Sequence, residues 1–354
     1  MGTIPLEYSH EVSPPLAIPV DGQLLGADPP GIAAFARAAE EAGLARLWAP
    51  ELHRSATVPL AVAAAATERI GLATGIALAF TRSPMVLALE ALDLDELSGG
   101  RLTIGLGAGV RRLNASWHGA PYDPPVRRMR EMVAAVRELT AALAEGRDAR
   151  SAGRLYDIEV RGLRRGYAAP RGALPVWLAA VLPGMTRLAG EVADGFLDHP
   201  VTTPAWLADR LLPALREGAA RGGREVPEVA GALICAASDD DPAAARRAAA
   251  CTVGFYATVR TYAGLFGEQG FAARLPGIAR AFVAQDADRL AEAVGEDMTD
   301  AFAAAGTVAQ VRERARAYEG LADRLWATPP HHLQRAGDAA RWQEGILRAL
   351  GTRD

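Results

Sequence analysis

Residues 67–109, TERIGLATGIALAFTRSPMVLALEALDLDELSGGRLTIGLGAG, decide the fold. Ile70–Leu78 is a β-rich apolar run, and Ser83-Pro84 then supplies an N-cap followed by proline at the first helical position. Leu87, Glu90, Ala91, Leu94 and Leu97 recur at helical spacing, and Ser98-Gly99-Gly100 ends that helix as a C-cap turn does. Arg101 leads into the short apolar strand Leu102–Leu106, closed by Gly107, Ala108 and Gly109. The segment is a βαβ unit, and its parallel strands direct both C-terminal ends to one surface.

The same unit recurs on both sides. Upstream, Pro29–Ala42 reads as an amphipathic helix ended by Gly43, Leu44–Ala49 as a strand and Thr57–Glu68 as a helix. Downstream, the helix Pro125–Glu145 precedes the strand Leu174–Ala180, the helix Gly184–Ala193 and the strand Gly195–Asp198. A helix over Pro204–Arg221 and a strand over Val229–Ala237 follow. Pro242–Thr299 is mostly helical and too long for one crossover, so it reads as an insertion after strand 7. Val308–Glu319, Ala322–Ala327 and Ala339–Leu350 complete the chain as helix, strand and helix. With a first strand placed between Ile4 and Val20, the pattern predicts an α/β fold of the (β/α)8 TIM-barrel type, a single domain over 1–354 with a helical insertion near 242–299. A doubly wound open sheet is the alternative, but no polar linker divides the chain into halves.

Composition narrows the class. With 354 residues, 50% hydrophobic, the chain buries a large core, and its net charge of −4 argues against nucleic-acid or anionic-membrane partners. No apolar run reaches the ~18 residues of a membrane span, and the N-terminus has no signal-peptide pattern, so a cytoplasmic location is expected. Cys235 and Cys251 form no disulfide framework, and no residues show metal-ligand spacing, so no metal is expected. Every basic side chain other than histidine is arginine, a coding bias more than a functional sign.

A barrel places its chemistry at the C-terminal ends of its strands. Glu51, Leu52 and His53 after strand 2, Gly75–Phe80 after strand 3 and Gly107–Asn114 after strand 4 therefore share one mouth. Gly184-Met185-Thr186 after strand 5, Asp198-His199 after strand 6 and the insertion join them. Arg101 falls on the opposite side, as an ion-pair partner for Asp95 or Glu96. Glycines at strand ends let backbone approach a flat ligand, although GLGAG alone is also an ordinary turn and lacks the spacing of a dinucleotide fingerprint. In VWLAAVLPGMTRLAGEVADGF (176–196) a Pro-Gly turn opens a helix whose Gly184, Met185 and Thr186 amides suit a phosphate, or simply form an ordinary helix start.

These residues carry a resemblance. EAGLARLWAPELH (41–53), ATERIGLATGIALAFTRSPMVLA (66–88), LDELSGGRLTIGLGAG (94–109) and MTRLAGEVADGFLDHP (185–200) resemble the bacterial luciferase-like oxidoreductases, in the branch that uses the deazaflavin coenzyme F420. RRMREMV (127–133) and GFYATVRTYAGLFGEQGF (254–271) resemble one actinobacterial subgroup, so the likeness runs from about Pro29 to Pro330. It implies F420 over the mouth, with a non-proline cis peptide at Gly75-Ile76 beneath the ring and Ala77 adjoining it. Gly107, Ala108 and Gly109 border the ring in this reading, and Gly184, Met185 and Thr186 take the phosphate. FMN with oxygen is the alternative cofactor chemistry, and a non-catalytic binding protein is a reading from another class.

The chain also departs from its relatives. Leu52 stands where many carry a histidine, with the acid kept as Glu51 and His53 adjacent. Val110 replaces the glutamate of sugar-phosphate oxidisers, which favours reduction of an activated C=C or C=N bond over alcohol oxidation. His53 is the candidate proton-transfer group and Glu51 its orienting partner, His199 a cofactor contact, and Leu52, Trp117, His118, Tyr122 and Tyr256 the substrate wall. Trp117, His118 and Tyr122 are expected in a loop. The partner is a small organic molecule, and the resemblance implies a homodimer.

Overall fold

The computed structural model describes residues 14–26, 28–167, 169–335 and 337–352. Its strands are β1 (Val20–Gln23), β2 (Arg46–Ala49), β3 (Gly71–Thr74), β4 (Ala77–Leu78), β5 (Leu102–Gly107) and β6 (Ala149–Ala152). They continue as β7 (Asp157–Val160), β8 (Val176–Ala179), β9 (Gly195–Leu197), β10 (Glu228–Ala237), β11 (Ala303–Gly306) and β12 (Arg324–Thr328). Parallel pairing runs β1-β2-β3-β5-β8-β9-β10-β12, and β12 returns to β1, closing an eight-stranded TIM barrel.

Helices alternate with the strands around the outside: α1 (Pro29–Glu41), α2 (Thr57–Ala66), α3 (Pro84–Leu97), α4 (Arg111–His118) and α5 (Pro125–Glu145). Next come α6 (Pro183–Val192) and α7 (Pro204–Trp206), which runs through a π turn into α8 (Leu212–Gly222). The insertion holds α9 (Pro242–Thr258), α10 (Arg260–Phe266), α11 (Leu275–Val283) and α12 (Ala287–Phe302), before α13 (Val308–Ala315) and α14 (Asp338–Leu350). The caps act as the sequence signals: Ser83 Oγ accepts from the Val86 amide at 3.2 Å, with Pro84 beginning α3.

Four features correct the sequence reading. The first strand begins at Val20, the last residue of the stretch expected to hold it, and residues 1–13 of that region lie outside the described ones. The Trp117–His118 stretch is helix α4, closed by a left-handed Gly119, not a loop. β11 extends the sheet beside Ile234–Ala237, over an Ala-Ala-Ala-Gly stretch that the sequence pattern leaves unassigned. Arg101 forms no pair with Asp95 or Glu96; it donates to the carbonyls of Ala64, Thr67, Ile70 and Ser98 and to Thr67 Oγ1. The Ala64 and Thr67 carbonyls end α2, that of Ser98 ends α3 and that of Ile70 precedes β3, and a five-donor guanidinium serves all of them. Asp95 is satisfied instead by Arg171 at 2.7 Å and the Leu102 amide at 3.2 Å. The charged hairpin β6–β7 also escaped the sequence pattern.

The barrel interior is solid. Trp48, Trp177 and Trp326 fill it, with Trp48 ring centroids 5.5 Å from Trp177 and 5.9 Å from Trp326. Below them, fully buried Asp21 accepts from Trp48 Nε1 at 2.8 Å and pairs with Arg324 at 2.9 Å. A plugged interior leaves only the strand ends to receive a ligand.

Candidate active site

At the mouth, the turn after β2 is tied to the segment after β3. The Glu51 amide donates to the Ile76 carbonyl at 3.1 Å, and its carboxylate accepts from the Leu78 amide at 2.7 Å and from Arg82. Glu51 thus ties β4, which pairs with β5, to the turn after β2. The Gly75–Ile76 peptide between β3 and β4 is cis. Gly75 has no room for a side chain, since a Cβ there would lie 2.7 Å from that of Trp48.

The glycines at the end of β5 also make room for the protein's own side chains. Ile76 occupies the space a Gly107 side chain would need, and Leu78 occupies that of Gly109, whose φ is 61°. These glycines admit protein side chains and so bring the backbone of β4 and β5 together. Ala108 is anchored by Asn114, which donates to its carbonyl at 2.8 Å.

The start of α6 has no side-chain cap, and its N-cap residue is Leu182. The Thr186 amide and hydroxyl both bond the Leu182 carbonyl, at 3.1 and 3.0 Å, so Thr186 is not a free donor as the sequence reading had it. Gly184 and Met185 sit in the first turn of α6, where amides have no helical acceptor. A Cβ at Gly184 would meet only Val126, at 3.9 Å, so space is open there.

Beyond the ends of β9 and β12 stands an array of phenols and imidazoles brought from four separate parts of the chain. His199, after β9, lies with its ring centroid 5.1 Å from that of Tyr256 on α9 and 5.0 Å from that of Tyr262 on α10. Tyr256 also meets His331, after β12, at 5.5 Å. The Tyr262 hydroxyl faces His199 Nε2 at 3.5 Å, while Nδ1 is buried without a partner. His332 is stacked between Phe255 at 4.5 Å and Phe282 at 5.1 Å, which fastens the insertion to the loop after β12. The His332 sandwich had no signal in the sequence, because its three rings are distant in the chain.

Burial holds these imidazoles neutral. Desolvation, reinforced by His331, brings His199 down to about 3, and desolvation, with His332 and His53 nearby, brings His331 down to about 4. Asp198, sealed behind His199 and bonded by Thr202 at 2.7 Å, is raised by burial to about 7. A histidine depressed in the folded state takes fewer protons than in the unfolded chain, so its contribution is complete above pH 6.5 and is lost as pH falls towards 4. His331→Phe is therefore expected to gain about 1–2 kcal/mol relative to wild type between pH 7.5 and 4.5, a figure reduced for the ring's partial exposure. Denaturant midpoints of both proteins at the two pH values check this.

The other residues read from the sequence lie around the rim. His53 and Leu52 are exposed, with His53 close enough to His331 to oppose its protonation. Tyr122 packs edge-on to Phe80 at 5.6 Å and donates to the Gly109 carbonyl at 3.4 Å. Trp117, 65% exposed, and His118 stand on the outer side of α4 and join none of the ring contacts, because the helix turns them to solvent. Among the described residues no group of three or more His, Cys, Asp or Glu is placed to hold a metal ion, and no helix is long and apolar enough to cross a membrane.

Comparison with known proteins bears on the family and the fold. The family model described as luciferase-like monooxygenase matches residues 15–325. An uncharacterised protein of Mycobacterium tuberculosis strain H37Rv is 34% identical over 291 residues, 78% of this chain and 84% of its own. A provisionally named coenzyme F420-dependent oxidoreductase of the same strain is 29% identical over 314 residues, 83% of this chain and 89% of its own. Among solved structures, the coenzyme F420-dependent tetrahydromethanopterin reductase of Methanopyrus kandleri superposes with TM-score 0.79 at 23% identity, covering 95% of this chain and 98% of that one.

Proposed function

The chain belongs to the luciferase-like monooxygenase family, and from that premise we propose that it is an F420-dependent oxidoreductase. It transfers hydride between the deazaflavin and a small organic substrate, in the direction that reduces an activated C=C or C=N bond. The observation that carries the reading is the uncapped start of α6 on the same mouth as the cradle formed by Gly75–Ala77 and Gly107–Gly109. The names of two relatives support the choice of cofactor.

The residues present fit that group. Gly184 and Met185 offer first-turn amides and open space to a phosphate, at the positive end of the α6 dipole. When bound, F420 supplies a carbon centre that carries hydride and does not activate oxygen. Glu51, through the Leu78 amide and Arg82, fixes the backbone on which the ring would rest. His199, Tyr256 and Tyr262 wall off the opposite side and exclude water, which strengthens every polar contact within. His53, exposed beside His331, exchanges protons with solvent at the edge of this wall. Tyr122 and Tyr256 face the substrate, with Leu52, Trp117 and His118 on the rim. A homodimer is part of the same proposal.

Gly184→Asp tests the reading. The position has room for the side chain, so the fold is kept, and a carboxylate in the first turn competes with and repels a phosphate. At about 5 Å and an effective dielectric near 40, the repulsion is about 1.5 kcal/mol, so F420 affinity is expected to fall at least tenfold. Fluorescence titration of F420 into both proteins measures it, and equal affinities would remove the α6 terminus from the site.

A further inference from the structure

The tyrosine hydroxyls at the mouth are not equivalent. Tyr122 spends its donor on the Gly109 carbonyl, and Tyr262 directs its hydroxyl at His199 Nε2. Tyr256 has no hydrogen bond to any described residue, yet its hydroxyl is not sealed in the protein interior. Its ring is fixed on two sides by edge-on imidazoles, His199 at 5.1 Å and His331 at 5.5 Å, and on a third by Phe255 at 5.4 Å. A rigid phenol with an idle donor, in a surround of neutral rings, is built to receive a hydrogen-bond acceptor that the protein itself does not supply.

We propose that the Tyr256 hydroxyl donates the hydrogen bond that holds and polarises the substrate's acceptor atom, which makes the substrate a conjugated carbonyl or imine compound rather than an unactivated alkene. The proposal rests on reading this mouth as the substrate side. It assigns to Tyr256 the electrophilic role, while the exposed His53 handles proton exchange with water. Burial drives the Tyr256 phenol well above its usual range, so it stays protonated and remains a donor throughout the working pH range. The neighbouring imidazoles, both held neutral, present no positive charge that would compete for the same acceptor. Planarity is favoured as well, because the groups packed about the Tyr256 ring are themselves rings.

The test uses 4-(dimethylamino)cinnamaldehyde, a conjugated aldehyde whose absorption moves to longer wavelength when its oxygen accepts a hydrogen bond. Saturable binding to the wild-type protein, with a red-shifted band, is the expected result. Tyr256→Phe removes only an oxygen without a protein partner, so the circular dichroism spectrum is retained. The red shift is expected to disappear and binding to weaken about fivefold to tenfold, the loss of one neutral hydrogen bond. An undiminished shift in Tyr256→Phe, or no saturable binding to wild type, overturns the proposal. The titration is run without cofactor, so a failure of F420 to bind leaves its outcome standing and bears on the cofactor reading alone.

Discussion

Arg324→Met is expected to destabilise the protein by about 3–5 kcal/mol, because it breaks a buried ion pair and leaves the other partner inside. Arg324 reaches Asp21 at 2.9 Å and Glu228 at 2.6 Å beneath the tryptophan plug. Asp21 is fully buried, and after the substitution it retains only the Trp48 indole and the field of Arg46. Burial already raises its pKa, with Arg324 and Arg46 opposing, and removal of Arg324 raises it further. The folded variant therefore takes up a proton more readily than the unfolded chain, and its deficit shrinks as pH falls. Denaturant midpoints at pH 8 and pH 5 check both the size and the direction. An equal loss at the two pH values would mean that the charge of Asp21 is not what the substitution exposes.

Gly105→Ala is expected to cost at least about 3 kcal/mol, and loss of soluble protein is within the range of overpacking a rigid core. A Cβ at this position would fall on the carbonyl oxygen of Thr74 in the neighbouring strand, and Trp48 closes the other side at 3.1 Å. The obstacle is backbone, so no side chain can swing away. The two strands are also locked reciprocally: Thr74 Oγ1 donates to the Gly105 carbonyl at 2.7 Å and accepts from the Gly105 amide at 2.8 Å. Any shift of Thr74 moves Gly75, the first residue of the proposed cradle. Soluble yield and thermal midpoint measure the effect, and a variant as stable as wild type would contradict this packing.

Much of the barrel is legible in local chemistry. Ser83-Pro84 caps α3, Gly43 and Gly146 take left-handed turns beyond helices, and each apolar run between such signals becomes a strand. Local patterns are silent where a short segment takes its conformation from a neighbour, as Ala303–Gly306 does by pairing with β10. The candidate site divides in the same way. Strand ends place Glu51, Gly75, Gly107, Gly184 and His199 at one mouth, and parallel topology guarantees that much. Which groups touch is a tertiary matter. His199 meets Tyr256 and Tyr262 only because the insertion folds back over β9, and helical phase alone turns Trp117 and His118 away. Gly107 and Gly109 carry the finest lesson: their presence marks close approach, and Ile76 and Leu78 are among the approaching groups, which no local pattern announces.

The most direct measurement is a pair of anaerobic equilibrium titrations of the purified protein, one with F420 and one with FMN, each followed by exposure of the reduced complex to air. Preferential, saturable binding of F420, with no oxygen consumption by its reduced complex, is the predicted result. Preferential binding of FMN, with oxygen consumed when its reduced complex meets air, would contradict it and make the protein a flavin monooxygenase.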